Sequence, residues 1–159
     1  GILLADAGLA TSEQDGADRI TAALSGGQVA DRFGRMIAAV GGPLWFVDNW
    51  QRFLPEATVI QEITAKRTGY VTAIDGEALG LSVVRLGGGR MVENDQINPS
   101  VGMSGLVRLG AKVEKGTPLA VIHATREEEA RIAEATVHSA ITIAPQAVER
   151  PDLIHERIS

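Results

Sequence analysis

Cysteine is absent from the 159-residue sequence, and aromatic side chains make up only 4% of it. Without cysteine the chain can form no disulfide, and it has neither a thiol nucleophile nor a cysteine-ligated metal site. The absence is typical of proteins from a reducing compartment, so we expect a cytoplasmic protein.

Clustered positive charge and long apolar runs are missing as well. The formal net charge is -5, and 15 basic residues are scattered among 20 acidic ones. A protein that binds nucleic acid needs concentrated positive charge, so the sequence predicts no nucleic-acid partner. No apolar run approaches the roughly 20 residues that span a bilayer, so we expect no membrane partner either.

The polar side chains form no known reactive motif. The histidines, His123, His138 and His155, lie too far apart in the sequence for a local metal-binding motif. His123 alternates with Val121 in an apolar segment, which is typical of a hydrogen-bonded structural histidine rather than a catalytic one. No serine has the G-x-S-x-G setting of a hydrolase nucleophile. The sequence therefore predicts no catalytic residue, cofactor-binding residue or metal ligand in this chain.

The first third of the chain reads as helices separated by glycine. With an apolar fraction of 45%, the whole sequence can fill a core. Ser12 is the expected N-cap of a helix that stops at Gly26-Gly27, and a second helix is expected over about 28–40. A third is expected from near Pro43 to Leu54.

The tryptophans of this third helix, Trp45 and Trp50, are interpreted as core residues rather than a base-stacking surface. An isolated helical arm would leave several aromatic side chains exposed to water, which is unfavourable. We therefore expect these helices to pack on a preceding region. The sequence begins with Gly1-Ile2-Leu3-Leu4, which is already apolar and has no N-cap before it. We therefore expect the chain to be a fragment of a larger protein.

Beyond the helices the apolar period changes to that of strands. Strands are expected over 59–63 and 70–74, with Gly69 as a bulge or turn, and Asp75 is the expected cap of the helix that follows. Further strands are expected over 101–109, 118–124 and 141–144, with an edge strand at Leu153-Ile154. A turn is expected at Lys115-Gly116, and a capping box at 125–128 is expected to open a helix. The order predicts an α+β fold.

A glycine-rich loop follows the helix capped by Asp75. Gly87, Gly88 and Gly89 stand before Arg90. Each glycine can adopt a positive φ at low steric cost, so the helix is expected to stop here and lead into a mobile loop. Such a loop is able to cover a cleft. A direct anion site and a plain flexible exit from the helix remain alternatives, and the spacing of a phosphate-binding P-loop is absent.

This part of the sequence resembles the C-terminal portion of the pyrimidine nucleoside phosphorylase family. The likeness is carried by GLSVVRLGGGR, MVENDQINPSVGM and SGLVRLGAKVEKGTPLAVIHA, and it extends from Phe33-Gly34-Arg35-Met36 to Arg157-Ile158-Ser159. It implies that residues 1–55 are the truncated helical end of the central catalytic domain, that residues 56–147 are the C-terminal domain and that residues 148–159 are a tail. The C-terminal domain is expected to be an α/β-hammerhead similar to a barrel-sandwich hybrid.

The resemblance also implies an activity for the full-length enzyme, a pentosyltransferase. It would catalyse reversible phosphorolysis of thymidine to thymine and 2-deoxy-α-D-ribose 1-phosphate, with phosphate as co-substrate and no cofactor, as a homodimer. The family's phosphate- and pyrimidine-binding residues belong to an N-terminal region without a counterpart here. This chain alone is therefore expected to be inactive, and Gly87, Gly88, Gly89 and Arg90 are its candidate cleft-closing loop.

Two short segments, 69–74 and 109–119, each resemble half of a biotinyl or lipoyl carrier domain. They leave open an alternative of another class, a stand-alone module for small-ligand binding or assembly. Lys112 and Lys115 lie near the expected turn, but neither has the flanking methionines of a lysine that displays a swinging cofactor. The sequence therefore predicts no modified lysine here.

Overall fold

The protein divides into two compact units, Gly1–Leu54 (unit 1) and Pro55–Ser159 (unit 2). The structure is a computed structural model that describes residues 1–156 and 158. Across the described residues the architecture is α+β, with helices in both units and strands in unit 2, as the sequence predicts. Among the same residues, no helix combines the length and the apolar character needed to cross a bilayer.

Unit 1, which is described throughout, consists of four helices. They are α1 (Ile2–Asp6), α2 (Glu13–Ser25), α3 (Gln28–Ala39) and α4 (Phe46–Phe53). The glycine pair ends α2 as expected. The last helix begins later than expected, because residues 43–45 form a turn in which the Phe46 amide donates to the Pro43 carbonyl at 3.3 Å.

The start of α2 is fixed by a small hydrogen-bonded network. Ser12 Oγ accepts a hydrogen bond of 3.1 Å from the Asp15 amide, which confirms the predicted N-cap. Asp15 in turn accepts from the Thr11 amide at 2.8 Å and pairs with Arg19 at 2.9 Å. The hydrogen bond from the Thr11 amide, followed by the one from Arg19, lowers the pKa of Asp15 to about 2. The carboxylate is therefore charged at neutral pH beside the positive end of α2.

The aromatic side chains of α3 and α4 contact one another but do not form a buried core. The Phe46 ring lies 6.2 Å from that of Phe33 and 6.3 Å from that of Phe53, between centroids. Trp45 and Trp50 are 71% and 50% exposed. Within the described chain neither tryptophan is buried, so the prediction that they are core residues is not tested by this chain alone. Their packing on a preceding region stays a prediction.

The described residues of unit 2 form two antiparallel three-stranded sheets and two helices. The strands are β1 (Val59–Thr64), β2 (Gly69–Ile74), β3 (Gly102–Ser104), β4 (Lys112–Val113), β5 (Pro118–Ala124) and β6 (Ile141–Ala144). The first sheet has the order β1-β5-β3 and the second the order β4-β2-β6. The helices are α5 (Gly76–Val83), which continues into a π-helical turn (Val84–Gly88), and α6 (Glu127–Ala140).

The core of unit 2 lies around β5 and α6. β5 is the central strand of its sheet, and its Leu119 and Ile122 are fully buried. The helix α6 contacts β5 and α5 and contributes Ala130, Ala133 and Val137, which are buried as well. The small side chains allow α6 to approach its neighbours closely, so that a core forms without large aromatic groups.

The segment expected as a strand over residues 101–109 is mostly irregular. Within it only Gly102–Ser104 forms a strand, and Gly105 and Gly110 adopt positive φ angles of 61° and 77°. Left-handed backbone of this kind interrupts a strand. The turn at Lys115-Gly116 therefore joins β5 to the two-residue strand β4, which was not expected, rather than to the end of a long strand.

Gly69 forms neither a bulge nor a turn. It begins β2 opposite Val113, and the irregularity of this strand lies further on, between Val71 and Ala73. A Cβ on Gly69 would lie 2.6 Å from the Ala144 carbonyl oxygen. Close approach of a neighbouring strand, rather than an unusual φ, is the reason for glycine here.

Two expectations for the end of the chain are also wrong. Thr125 does not open a capping box, because Arg126 occupies the N-cap position of α6 and makes no side-chain cap hydrogen bond. Leu153-Ile154 forms no strand and is exposed. The resemblance expected at Arg157 and Ser159 falls outside the described residues.

The predicted cap of α5 is confirmed and can be tested by substitution. Asp75 Oδ1 accepts a hydrogen bond of 2.9 Å from the Ala78 amide. We expect Asp75→Ala to lower the free energy of unfolding of unit 2 by about 0.5–2 kcal/mol, because the amide loses its partner. Asp152→Ala, in the exposed tail, is the control. Equal urea midpoints for the two variants would contradict the expectation.

Candidate functional site

The helix that leads to the glycine-rich loop is anchored firmly in unit 2. Leu79 and Ser82 of α5 and Leu86 of the π-helical turn are all buried. Both α5 and the turn contact α6. The chain therefore enters the glycine-rich loop, residues 87–99, from a fixed point.

The three glycines at the start of the loop serve two different structural purposes. Gly87 has a positive φ of 97°, and this residue ends the helical path. Gly88 has no left-handed φ, but a Cβ there would lie 2.8 Å from Val83 Cγ1. A Cβ on Gly89 would lie equally close, 2.8 Å, to Val84 Cγ2. All three glycines can adopt a positive φ, but of the three only Gly87 does so.

The turn that carries the glycines is not a regular helix, because Gly87 has non-helical backbone angles within it. Arg90 is exposed, and no described carboxylate lies within 4.0 Å of it. Its guanidinium group is free to contact a partner.

The rest of the glycine-rich loop is organised by hydrogen bonds. At its tip Asp95 Oδ2 accepts from the amides of Met91 and Val92 at 2.9 and 3.0 Å. At its base the Asn98 amide donates to the Gly87 carbonyl at 2.8 Å. Met91 and Val92 are 71% and 64% exposed. The loop thus presents a cation and two apolar side chains to the outside.

The histidines occupy separate positions in the structure. His123 Nε2 lies 2.8 Å from Ser104 Oγ, so this histidine bridges β5 and β3. His138, in the last turn of α6, lies 3.6 Å from Glu134 Oε1, and His155 is exposed in the tail. Among the described residues no three metal-ligating side chains come together.

The two lysines considered as carrier sites lie close together but differ in setting. Lys112 belongs to β4 and pairs with Tyr70. Lys115 is exposed in the turn between β4 and β5, where the Thr117 amide donates to the Glu114 carbonyl at 2.9 Å. The lysine at this turn has no role in the glycine-rich loop.

Sequence reasoning missed two polar residues that organise the loop, Asp95 and Asn98. Both lie in the segment NDQINPS, which is rich in residues that bond to nearby backbone in turns. That composition is a signal for an ordered turn. The partner of Asn98 in another part of the chain, Thr125, has no local signal.

Unit 2 is an α+β domain with two small antiparallel sheets, and α6 lies between β5 and β6 along the chain. A long loop joins α5 to the first sheet. Comparison with protein families makes this class specific. Residues 70–144 match the model of the pyrimidine nucleoside phosphorylase C-terminal domain, so the chain carries this domain. The resemblance seen in the sequence is confirmed, and the match spans the whole glycine-rich loop.

Proposed function

We propose that this chain is the C-terminal portion of a thymidine phosphorylase. The observation that carries the proposal is the family match over residues 70–144. In the proposed reaction phosphate attacks the anomeric carbon of thymidine as the glycosidic C–N bond breaks. Thymine leaves with the bonding electron pair and is protonated, and 2-deoxy-α-D-ribose 1-phosphate is the other product. The reaction is reversible and uses phosphate as a co-substrate without a cofactor.

In this proposal a preceding region binds the substrates, and the chain described here supplies a wall of the cleft and its closing loop. Exposed Arg90, Met91 and Val92 suit a segment that covers a cleft from outside. Closure would exclude water and hold the substrates in place. Both effects would lower the activation barrier of phosphorolysis without any proton transfer by the loop. We further propose that residues 56–147 form the C-terminal domain and that the whole protein is a cytoplasmic homodimer.

The proposal is tested on the native protein, captured from its source cells with an antibody raised against this chain. We expect a species larger than 16.8 kDa that releases thymine from thymidine only when phosphate is added. Uridine, assayed in parallel, reports the preferred nucleoside. Thymine release without phosphate would indicate hydrolysis and contradict the proposal. An inactive native species of 16.8 kDa would favour the small-ligand or assembly module instead.

Closure of the glycine-rich loop can be measured by trypsin cleavage after Arg90. We expect thymine and phosphate together, a pair that cannot react, to slow this cleavage in the whole protein by about tenfold, because a closed loop is inaccessible to protease. Cleavage after Lys115, in the turn between β4 and β5, is the internal control and should not change. Equal slowing at both sites, or at neither, would contradict closure.

Substitution of Gly88 by valine is a less selective test of closure than protection from trypsin. A Cβ at Gly88 would meet both the side chain and the carbonyl oxygen of Val83, at 2.8 and 3.1 Å. We expect Gly88→Val to lower turnover of the whole protein by about tenfold, partly by displacing the π-helical turn. Unchanged kinetics would show that the exit of the loop has no effect on the reaction.

A further inference from the structure

Several hydrogen bonds at the base of the glycine-rich loop converge on one residue, Asn98. The backbone N–H of Asn98 donates to the Gly87 carbonyl at 2.8 Å, and this hydrogen bond joins the two ends of the loop. Its side-chain Oδ1 accepts from the Ser100 amide at 3.0 Å and from the Ser100 hydroxyl at 2.7 Å. Its Nδ2 donates to Thr125 Oγ1 at 3.2 Å. Asn98 therefore connects the loop to a segment 27 residues further along the chain.

Thr125 is exposed, but it lies at the junction of two well-packed elements. It directly follows Ala124, the last residue of β5, which is fully buried. It directly precedes Arg126, which holds the N-cap position of α6 without a side-chain cap hydrogen bond. The hydroxyl group of Thr125 therefore does not cap α6, and the contact with Asn98 links the loop to the junction between the central strand and the packed helix.

The tip of the loop is organised independently of its base. Asp95 Oδ2 accepts from the amides of Met91 and Val92, and the Asp95 amide donates to the Val92 carbonyl at 3.1 Å. These hydrogen bonds stay within residues 91–95, so they shape the tip without attaching it to the core. The tip of the loop is therefore ordered by its own hydrogen bonds, whereas the orientation of the base depends on Asn98.

We propose that Asn98 is a positioning residue, whose hydrogen bond to Thr125 aims the glycine-rich loop at the cleft that it covers. The inference rests on the proposed function, because it assigns the loop a cleft to cover. Without the hydrogen bond to Thr125 the base of the loop is free to turn away from α6. The closed arrangement then becomes a smaller fraction of the population, and apparent substrate affinity falls by that fraction.

The first test uses this chain and requires no activity. Thr125→Val removes the acceptor with little change of shape, and Asn98→Ala removes the donor. We expect trypsin to cleave after Arg90 about three- to tenfold faster in both variants than in the unaltered chain, with cleavage after Lys115 unchanged. Thr136→Val is the matched control, since that hydroxyl donates to the Ile132 carbonyl within α6. Cleavage after Arg90 at the unaltered rate in both variants would overturn the proposal.

The second test measures kinetics of the whole protein. We expect Thr125→Val and Asn98→Ala each to raise KM for thymidine about tenfold with a smaller change in kcat, and the double variant to resemble Asn98→Ala alone. Additive effects in the double variant would overturn the proposal, because they would show that the two side chains act separately.

The two tests also separate this inference from the proposed function. Faster cleavage in both variants, together with a whole protein that releases no thymine, would overturn the proposed function and leave the attachment through Asn98 standing. Normal phosphate-dependent release, together with unchanged cleavage in both variants, would overturn the positioning role alone.

Discussion

Ile122→Ala is expected to lower the free energy of unfolding of unit 2 by about 2–5 kcal/mol. Ile122 is 0% exposed in β5, the strand that joins β1 to β3. The substitution removes apolar contacts and leaves a cavity between a sheet and α6 that closely packed neighbours cannot fill. Because β5 holds its sheet together, the loss should spread to the whole of unit 2.

The matched control for this prediction is Ile60→Ala. Ile60 lies in the neighbouring strand β1 but is 53% exposed, so the same chemical change should cost much less. Both tryptophans lie in unit 1, so their fluorescence would follow the wrong unit, and hydrogen exchange of the β5 amides in increasing urea is the suitable measurement. Equal losses in the two variants would contradict the assigned core.

Gly69→Ala should be the second most destabilising change, with a loss of about 1–3 kcal/mol. The new methyl group would lie 2.6 Å from the Ala144 carbonyl oxygen and 2.8 Å from Ile143 Cγ2. The carbonyl belongs to backbone, which cannot rotate away as a side chain can. β6 would have to move from β2, and the two hydrogen-bonded strands would separate in part.

The opposite sign is expected for Gly80→Ala, which is the control. Gly80 lies inside α5, and a Cβ there would meet nothing within 4 Å. Alanine in a helix interior is favoured over glycine by about 0.5–1 kcal/mol, so this variant should be more stable than the parent. A stabilising Gly69→Ala, measured by the same urea unfolding, would show that β2 and β6 are not packed as closely as the structure has them.

The fold could be predicted where the signals are local. Ser12 and the glycine pair Gly26-Gly27 bound α2, and the apolar run that begins at Pro118 gives β5 with its observed ends. The strand β4 could not be predicted, because two residues carry no period and become a strand only by pairing with β2. The long strand expected over 101–109 ends at Ser104, because the next residue, Gly105, adopts a left-handed conformation.

The candidate site could be located from the sequence but not built from it. Three glycines before Arg90 mark the loop, whereas the different purposes of Gly87 and Gly88 depend on where Val83 lies. The contact between Asn98 and Thr125 spans 27 residues, and only the folded chain brings the two together. The local sequence pattern cannot predict a contact between two residues so far apart in the chain.

The interleaved strand order of unit 2 has a consequence for how the protein is made. β1 pairs with β5, and β2 pairs with β6, in which Tyr70 lies opposite Ala144. A growing polypeptide therefore leaves the ribosome with β1 unpaired until β5 has been synthesised, and the second sheet is complete only when β6 has been made. Pairing between such distant segments is slow, since loop closure precedes any gain from contacts. We therefore expect unit 2 to fold late in synthesis, with the edges of β1 and β2 exposed until their partner strands have been made.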